Sequence, residues 1–220
     1  MTRPSGPLGT DQESATVAEA IFGSRYGVAA AYADLLTTAG IERGLLGPRE
    51  AERIWQRHLI NSAAIAPLVP QGARVVDLGS GAGLPGIPLA IARPDLVIVL
   101  LEPMRRRATF LRECLAVLPL PGVSVEEGRA EAGITPLADV VVARAVASLG
   151  ALVRLSFPLL VDSGLLLALK GRRASGELED MRRTMTVDAE VLELPAPGAP
   201  VTVVRAVRPA RQGSRKRRPR

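Results

Sequence analysis

Two acidic residues and a run of glycines carry the strongest chemical signal in the chain. The segment VVDLGSGAGLPG, residues 75–86, sets Asp77 near the end of a short apolar run, and Gly79, Gly81 and Gly83 alternate through the turn that follows. Glycines there permit a tight turn and let a ligand approach the backbone, while the first amides of a following helix point at its polar end. Glu102 ends the next apolar run, 23 residues after Gly79. A carboxylate at that place can accept both hydroxyls of an adenosine ribose. Glycine turn and ribose acid together point to a nucleoside-containing cofactor. Gly81, Gly83 and Gly86 also fit the dinucleotide spacing GxGxxG. That register starts several residues past the run, and Asp77 would set a like charge against an incoming pyrophosphate. S-adenosylmethionine carries a sulfonium and an ammonium and no phosphate, so an acidic strand end suits it better.

Further candidates stand at the ends of later runs. Arg144 follows DVVVA, and Lys170, one of two lysines in the chain, follows GLLLAL. Both belong at the C-terminal rim, where open α/β sheets bind ligands. Lys170 could hold a substrate phosphate there. Arg144 and His58 are the candidate catalytic residues. Arg57, His58 and Asn61 share one helical stretch and would close the substrate side of the pocket, although His58 reads equally well as a packing residue. Cys114 falls between Leu111 and Leu118 and reads as a small buried hydrophobe. No cysteine therefore stands ready to attack a pyrimidine. No NPPY-like acceptor for an exocyclic amine follows the fourth run, where Ala143-Arg144-Ala145-Val146 stands instead. Subtraction favours methylation of a ring nitrogen. A ring nitrogen with an exposed lone pair has no proton to lose, so such a reaction needs orientation and water exclusion more than a base.

These residues need a sheet to position them. Ala73–Leu78, Leu96–Leu101, Val123–Glu126, Asp139–Ala143 and Gly164–Leu169 are short apolar runs that read as strands buried on both faces. Helical patterns separate several of them. In the clearest, Met104, Ala108, Leu111, Leu115 and Leu118 form a stripe, and Arg105, Arg106, Arg107 and Arg112 read as its solvated face. Val187–Leu194 and Val201–Val207 follow without a helix between them and could close the sheet as an antiparallel pair. Ahead of the sheet, Tyr32, Leu35, Leu36 and Ala39 recur at helical spacing, with Gly40 as a stop. A second helix starts at Pro48 and lines up Ile54, Trp55, His58 and Leu59. The expected architecture is α/β, a Rossmann-like class I methyltransferase sheet with an N-terminal helical extension. Residues 1–16 are expected to form a flexible arm, 17–70 a helical cap, 71–209 the Rossmann-like domain and 210–220 a disordered basic tail.

Composition narrows the class. Of 220 residues 47% are hydrophobic and 23% charged, a globular balance that argues against disorder over most of the chain. One cysteine and one histidine exclude a disulfide framework and leave too few soft ligands for a metal site. The longest stretches without a charged residue or histidine are 15 residues, 59–73 and 78–92, against the roughly 20 that a membrane span needs. With no apolar signal segment at residues 1–14, the expectation is a soluble cytoplasmic protein, acting as a monomer. Six aromatics are too few for an RNA-binding sheet with exposed stacking residues.

The chain resembles the small-subunit ribosomal RNA methyltransferase G family, also called glucose-inhibited division protein B. The likeness rests on RHLINS (57–62), DLGSGAGLPGIPLAI (77–91), RAEA (129–132), ARAVASL (143–149) and ALKG (168–171). The resemblance implies transfer of a methyl group from S-adenosylmethionine to N(7) of a guanine in 16S rRNA, free or within the small ribosomal subunit. It further implies that Gly79 and Leu84 contact the cofactor, that Ala130 and Glu131 border its adenine, and that Arg144 lies beside it. The family often has Asp where this chain has Asn61 and Glu102. Two other readings stay open at this stage: a methyltransferase of a small molecule or protein, and a non-catalytic nucleic-acid-binding module with a vestigial pocket.

Charge is distributed unevenly. Residues 205–220 carry eight basic side chains and no acid, whereas residues 1–204 carry 20 basic and 22 acidic ones. Long-range attraction to a polyanion therefore belongs to the tail, where Arg215, Lys216, Arg217 and Arg218 are candidate RNA contacts. Cutting the chain after Ala210 should flatten the slope of log affinity for RNA against log salt by roughly 2–3 units, since each phosphate contact contributes about 0.7–0.9. Cofactor affinity should stay unchanged. Binding curves across a salt series check this, and identical slopes would make the tail a spectator.

Overall fold

The computed structural model describes residues 12–132, 136–144 and 146–210. Its centre is a seven-stranded sheet of order β3-β2-β1-β4-β5-β7-β6. The strands are β1 (Arg74–Leu78), β2 (Val97–Glu102), β3 (Val123–Glu127), β4 (Ala138–Arg144), β5 (Leu160–Lys170), β6 (Asp188–Leu194) and β7 (Val201–Val207). The first five run parallel, while β7 lies antiparallel to both β5 and β6. The order reverses at β1, so the ends of β1 and β4 border the crevice where such sheets take ligands.

Alternation along each strand explains why the apolar runs are continuous. Val75, Ile98, Leu100, Val140, Val142 and Leu167 face one helical layer, and Val76, Leu101, Val141, Ala143 and Leu166 face the other. The first layer contains α4 (Gly86–Ala92), α5 (Arg105–Val117) and the N-terminal helices. The second contains α6 (Leu149–Ser156) and α7 (Ala174–Arg182). The N-terminal helices thus share a core with the sheet and form part of one layer. No helix among the described residues is long and apolar enough to cross a membrane.

Three local expectations change. Helix α1 (Gln12–Phe22) begins inside the arm expected to be loose through residue 16. Its polar start hides an apolar seam: Ala18 and Phe22 are buried, and Phe22 meets Trp55 edge to face at 6.5 Å. After α2 (Tyr26–Leu35), the helix expected from Pro48 opens as a 3-10 turn, Pro48–Arg53. It then widens to π winding over Ile54–Ile60 before α3 (Asn61–Ala63). Such wide turns occur often at functional sites. Here the winding buries Ile54, Trp55, His58, Leu59 and Ile60 together. Finally, β5 starts four residues earlier than its apolar run, because its first residues pair irregularly with β4: Ala138 meets Leu160 and Val140 meets Leu165.

Close approach of α4 to the sheet depends on Gly86. A Cβ there would lie 2.5 Å from Leu100 Cδ2 and 2.6 Å from Asp77 Oδ2, both in the interior. Gly86→Ala should therefore destabilise the fold by about 1–3 kcal/mol through overpacking. The midpoint of urea unfolding measures it.

Candidate functional site

The turns after β1 and β2, at the C-terminal edge of the sheet, are held by carboxylates. Asp77 is fully buried in β1, and its Oδ2 accepts the Gly86 amide at 3.0 Å, while Oδ1 has no protein partner. Burial pushes its carboxyl up to about 7, with Glu102 adding to the rise and the Gly86 amide opposing it. Glu102, only 1% exposed at the end of β2, accepts the Gly81 amide on Oε2 and the Met104 amide on Oε1, both at 2.9 Å. Each oxygen keeps a second acceptor position, so these bonds leave room for ribose hydroxyls. From the opposite side, the buried Tyr32 hydroxyl of α2 donates to the Ala82 carbonyl at 2.7 Å. The glycine turn is thus fixed by β2 below and by an N-terminal helix above.

Over this turn lies a cleft of about 550 Å³, within the range of small-ligand sites. Gly79, Gly81, Leu84, Glu102, His58 and Arg144 all line it. Gly79, Gly81 and Gly83 have φ of 70°, 60° and 100°, the left-handed region that glycine tolerates. At Gly81 a Cβ would meet nothing nearer than the Gly79 carbonyl, 3.9 Å away, so the space above it is open. The dinucleotide reading fails here. Asp77 already takes the Gly86 amide at the mouth of α4, where a pyrophosphate would need it.

Arg144 ends β4 and borders a second, larger cleft of about 1340 Å³. Arg57, Asn61 and Lys170 line that cleft together with Arg172 and Arg173. Arg144 donates to Ser62 Oγ at 3.1 Å and to the Arg57 carbonyl at 2.9 Å, and its Nη2 lies 3.2 Å from His58 Nδ1. Burial lowers the pKa of its guanidinium from the ordinary value. The other ring nitrogen, Nε2, lies 2.6 Å from Glu50. Burial, then the Arg144 charge, holds His58 below its usual pKa, so it is neutral at pH 7.

Several expected site residues take other places. Asp77 lies behind the glycine turn and supports it without lining the cleft. Lys170 is not free for a phosphate, because its buried ammonium donates to the Ala147 carbonyl at 2.6 Å and to Glu177 at 2.8 Å. Glu177 also accepts the Leu149 amide, so this pair latches the segment after β4 onto α7. Ala130 packs into the core beneath α6, and exposed Glu131 beside it does not line the cofactor cleft. Arg215, Lys216, Arg217 and Arg218 lie outside the described residues. Met104, expected in the apolar stripe, is 46% exposed and lines the cofactor cleft with Arg107, expected on the solvated face. Arg172 and Arg173, which the sequence reading passed over, line the larger cleft. Their position directly after a strand end, at Glu102 and at Lys170, was the available signal.

The chain matches the family model described as rRNA small subunit methyltransferase G over residues 26–202. The chain belongs to this family. The ribosomal RNA small subunit methyltransferase G of Mycolicibacterium paratuberculosis is 53% identical over 189 residues, covering 83% of this chain and 74% of that one. That of Thermobifida fusca is 54% identical over 169 residues, covering 76% and 71%. Among solved structures, an S-adenosylmethionine-dependent O-methyltransferase from Thermotoga maritima aligns with a TM-score of 0.55 at 16% identity, over 69% of this chain and 66% of that one. A tRNA methyltransferase from Aquifex aeolicus aligns with a TM-score of 0.52 at 14% identity, over 67% of each chain. These two likenesses establish the class I methyltransferase fold. As a member of the methyltransferase G family, the chain is an S-adenosylmethionine-dependent rRNA methyltransferase.

The two sides of the glycine turn give separable effects. Gly81→Leu should abolish S-adenosylmethionine binding at a stability cost of about 1–2 kcal/mol, because the side chain enters open space but the residue must hold a left-handed φ. Glu102→Ala should lower affinity and stability together, each by about 1.5–3 kcal/mol, since it also releases two amides from a carboxylate. Titration calorimetry and urea unfolding on both variants check the assignment. Unchanged affinity in both would sink it.

Proposed function

We propose that this chain transfers the methyl group of S-adenosylmethionine to N(7) of a guanine in 16S rRNA, acting as a monomer in the cytoplasm. The observation that carries the choice of acceptor is how the reactive groups around the cofactor cleft are already engaged. Cys114 is buried in α5, and burial pushes its thiol up to about 12. The His58 lone pair already accepts from Arg144, and the Asp77 carboxylate lies behind the turn. Of the groups that line the cofactor cleft, Glu50 is taken by Arg57 and His58, Glu102 by two backbone amides, and the Ser80 hydroxyl by the Asp77 carbonyl. Among the described residues, none stands there as a free base or nucleophile. A substrate atom with its own exposed lone pair suits such a site, and guanine N(7) is one.

Gly79, Gly81, Leu84 and Glu102 would hold the cofactor, whose bound chemistry is an electrophilic methyl on a sulfonium. The protein's part is positioning. Arg144 sits where both clefts meet, and Val146 stands beside Gly79, close enough that a Cβ there would touch it at 3.0 Å. Orientation at near-attack distance and exclusion of water supply the rate. The cationic rim of Arg57, Arg172 and Arg173 favours RNA over an uncharged small molecule as the occupant of the larger cleft.

RNA treated with the purified enzyme should become cleavable by borohydride and aniline at one guanine, because a cationic N(7)-methylated ring is readily reduced and opened. Mass spectrometry that found the methyl on an exocyclic amine or a ribose oxygen would refute the assignment.

A further inference from the structure

The polar cluster that joins the N-terminal helices to the end of β4 has a defined direction of hydrogen bonding. A guanidinium only donates, so His58 Nδ1, 3.2 Å from Arg144 Nη2, must be the acceptor. The single proton of the neutral ring then sits on Nε2, which donates to Glu50 Oε2 at 2.6 Å. Glu50 Oε1 receives Arg57 Nη1 at 2.9 Å, so the carboxylate is shared between two partners of the same helical stretch. Every acceptor of the Arg144 guanidinium is neutral and comes from that stretch: Ser62 Oγ, the Arg57 carbonyl and His58 Nδ1.

We propose that Glu50 and His58 are positioning residues, which hold the Arg144 guanidinium at the junction of the two clefts only while His58 is neutral. The rate readout of this proposal rests on the methyl-transfer reading given above. Protonation of His58 would replace the Nδ1 lone pair by an N–H and bring two like charges to 3.2 Å, so the anchor reverses from attraction to repulsion. The charged groups facing the ring are Glu50, which favours the proton, and Arg144 and Arg57, which oppose it. Burial opposes it too, and the bond to His58 holds the Glu50 carboxyl below its ordinary value. The functional state is therefore anionic Glu50 beside neutral His58. Because the histidine pKa is lowered in the fold, stability from this pair is full above about 6.5 and declines as pH falls through the folded value.

His58 is the only histidine in the chain, so a protein labelled with ¹⁵N-histidine and free of any affinity tag gives one imidazole signal. The expected spectrum shows the proton on Nε2 and a titration midpoint below about 6.5. Glu50→Gln should move the midpoint further down, and Arg144→Gln should move it up. The kcat/KM for RNA should fall about tenfold per pH unit below the same midpoint, because that ratio titrates the RNA-free enzyme, and this acid limb should shift down in Glu50→Gln. A residue that served packing alone would not tie the acid limb to the imidazole titration. A proton on Nδ1, or an acid limb that ignores the midpoint shift, overturns the proposal. If the unaltered chain methylates no guanine, the proposed function fails by itself, and the tautomer and the two midpoint shifts still decide the positioning pair.

Discussion

Burying a carboxylate among strands costs several kcal/mol unless hydrogen-bond donors are aimed at it, and the C-terminal edge of this sheet is built around that requirement. Glu102 meets it with the amides of Gly81 and Met104, which belong to the turns after two neighbouring strands. Asp77 meets half of it with the first amide of α4. A single side chain therefore sets the spacing between the β1 and β2 turns, and that spacing is the floor of the cofactor cleft. Backbone amides that could have served a phosphate are consumed in the process. The same two carboxylates that shape the site also decide what class of ligand it takes.

The walls of the cleft come from elsewhere in the chain. Tyr32 reaches the glycine turn from α2, and the π-wound segment carries His58 to the end of β4. The two elements are tied to each other, because Trp55 of the π-wound segment stacks on Tyr26 of α2 and meets Phe22 of α1 edge to face. Substrate and cofactor clefts thus meet at a residue whose side chain is held from one layer and whose backbone belongs to the sheet. Arg144 is where the two layers are read against each other.

Much of this was legible in the residues. Strands buried on both faces leave unbroken apolar runs, so β1, β2 and β4 could be read to within a residue or two. By contrast, β3, expected to be buried on both faces, is an edge strand and leaves Ser124, Glu126 and Glu127 exposed. The glycine turn and Glu102 were found because their spacing has one physical use. What escaped detection depended on partners distant in sequence. Lys170 reads as a free cation until the Ala147 carbonyl, brought over from the end of β4, is seen beside it with Glu177, and α1 looks like a loose arm until Trp55 gives Phe22 something to pack on. The first residues of β5 were hidden by Asp162, Ser163 and Gly164, and Ser163 has a φ of 64°. Periodicity has no means of anticipating a strand that tolerates such a kink. Nor can it anticipate the widened helix at Ile54–Ile60, which places His58 by winding and not by residue type.

The placement of β7 bears on how the chain acquires its structure during synthesis. This strand is the last element of the described residues, yet it lies inside the sheet between β5 and β6, with Val203, Val204 and Ala206 fully buried. A ribosome releases the chain from its N-terminal end, so β5 must wait with an open edge until residue 207 has cleared the exit tunnel. β6 emerges first but has no neighbour to pair with until β7 arrives. Exposed strand edges invite pairing with other chains. Closure of the sheet therefore waits on β7, after its six other strands have been made.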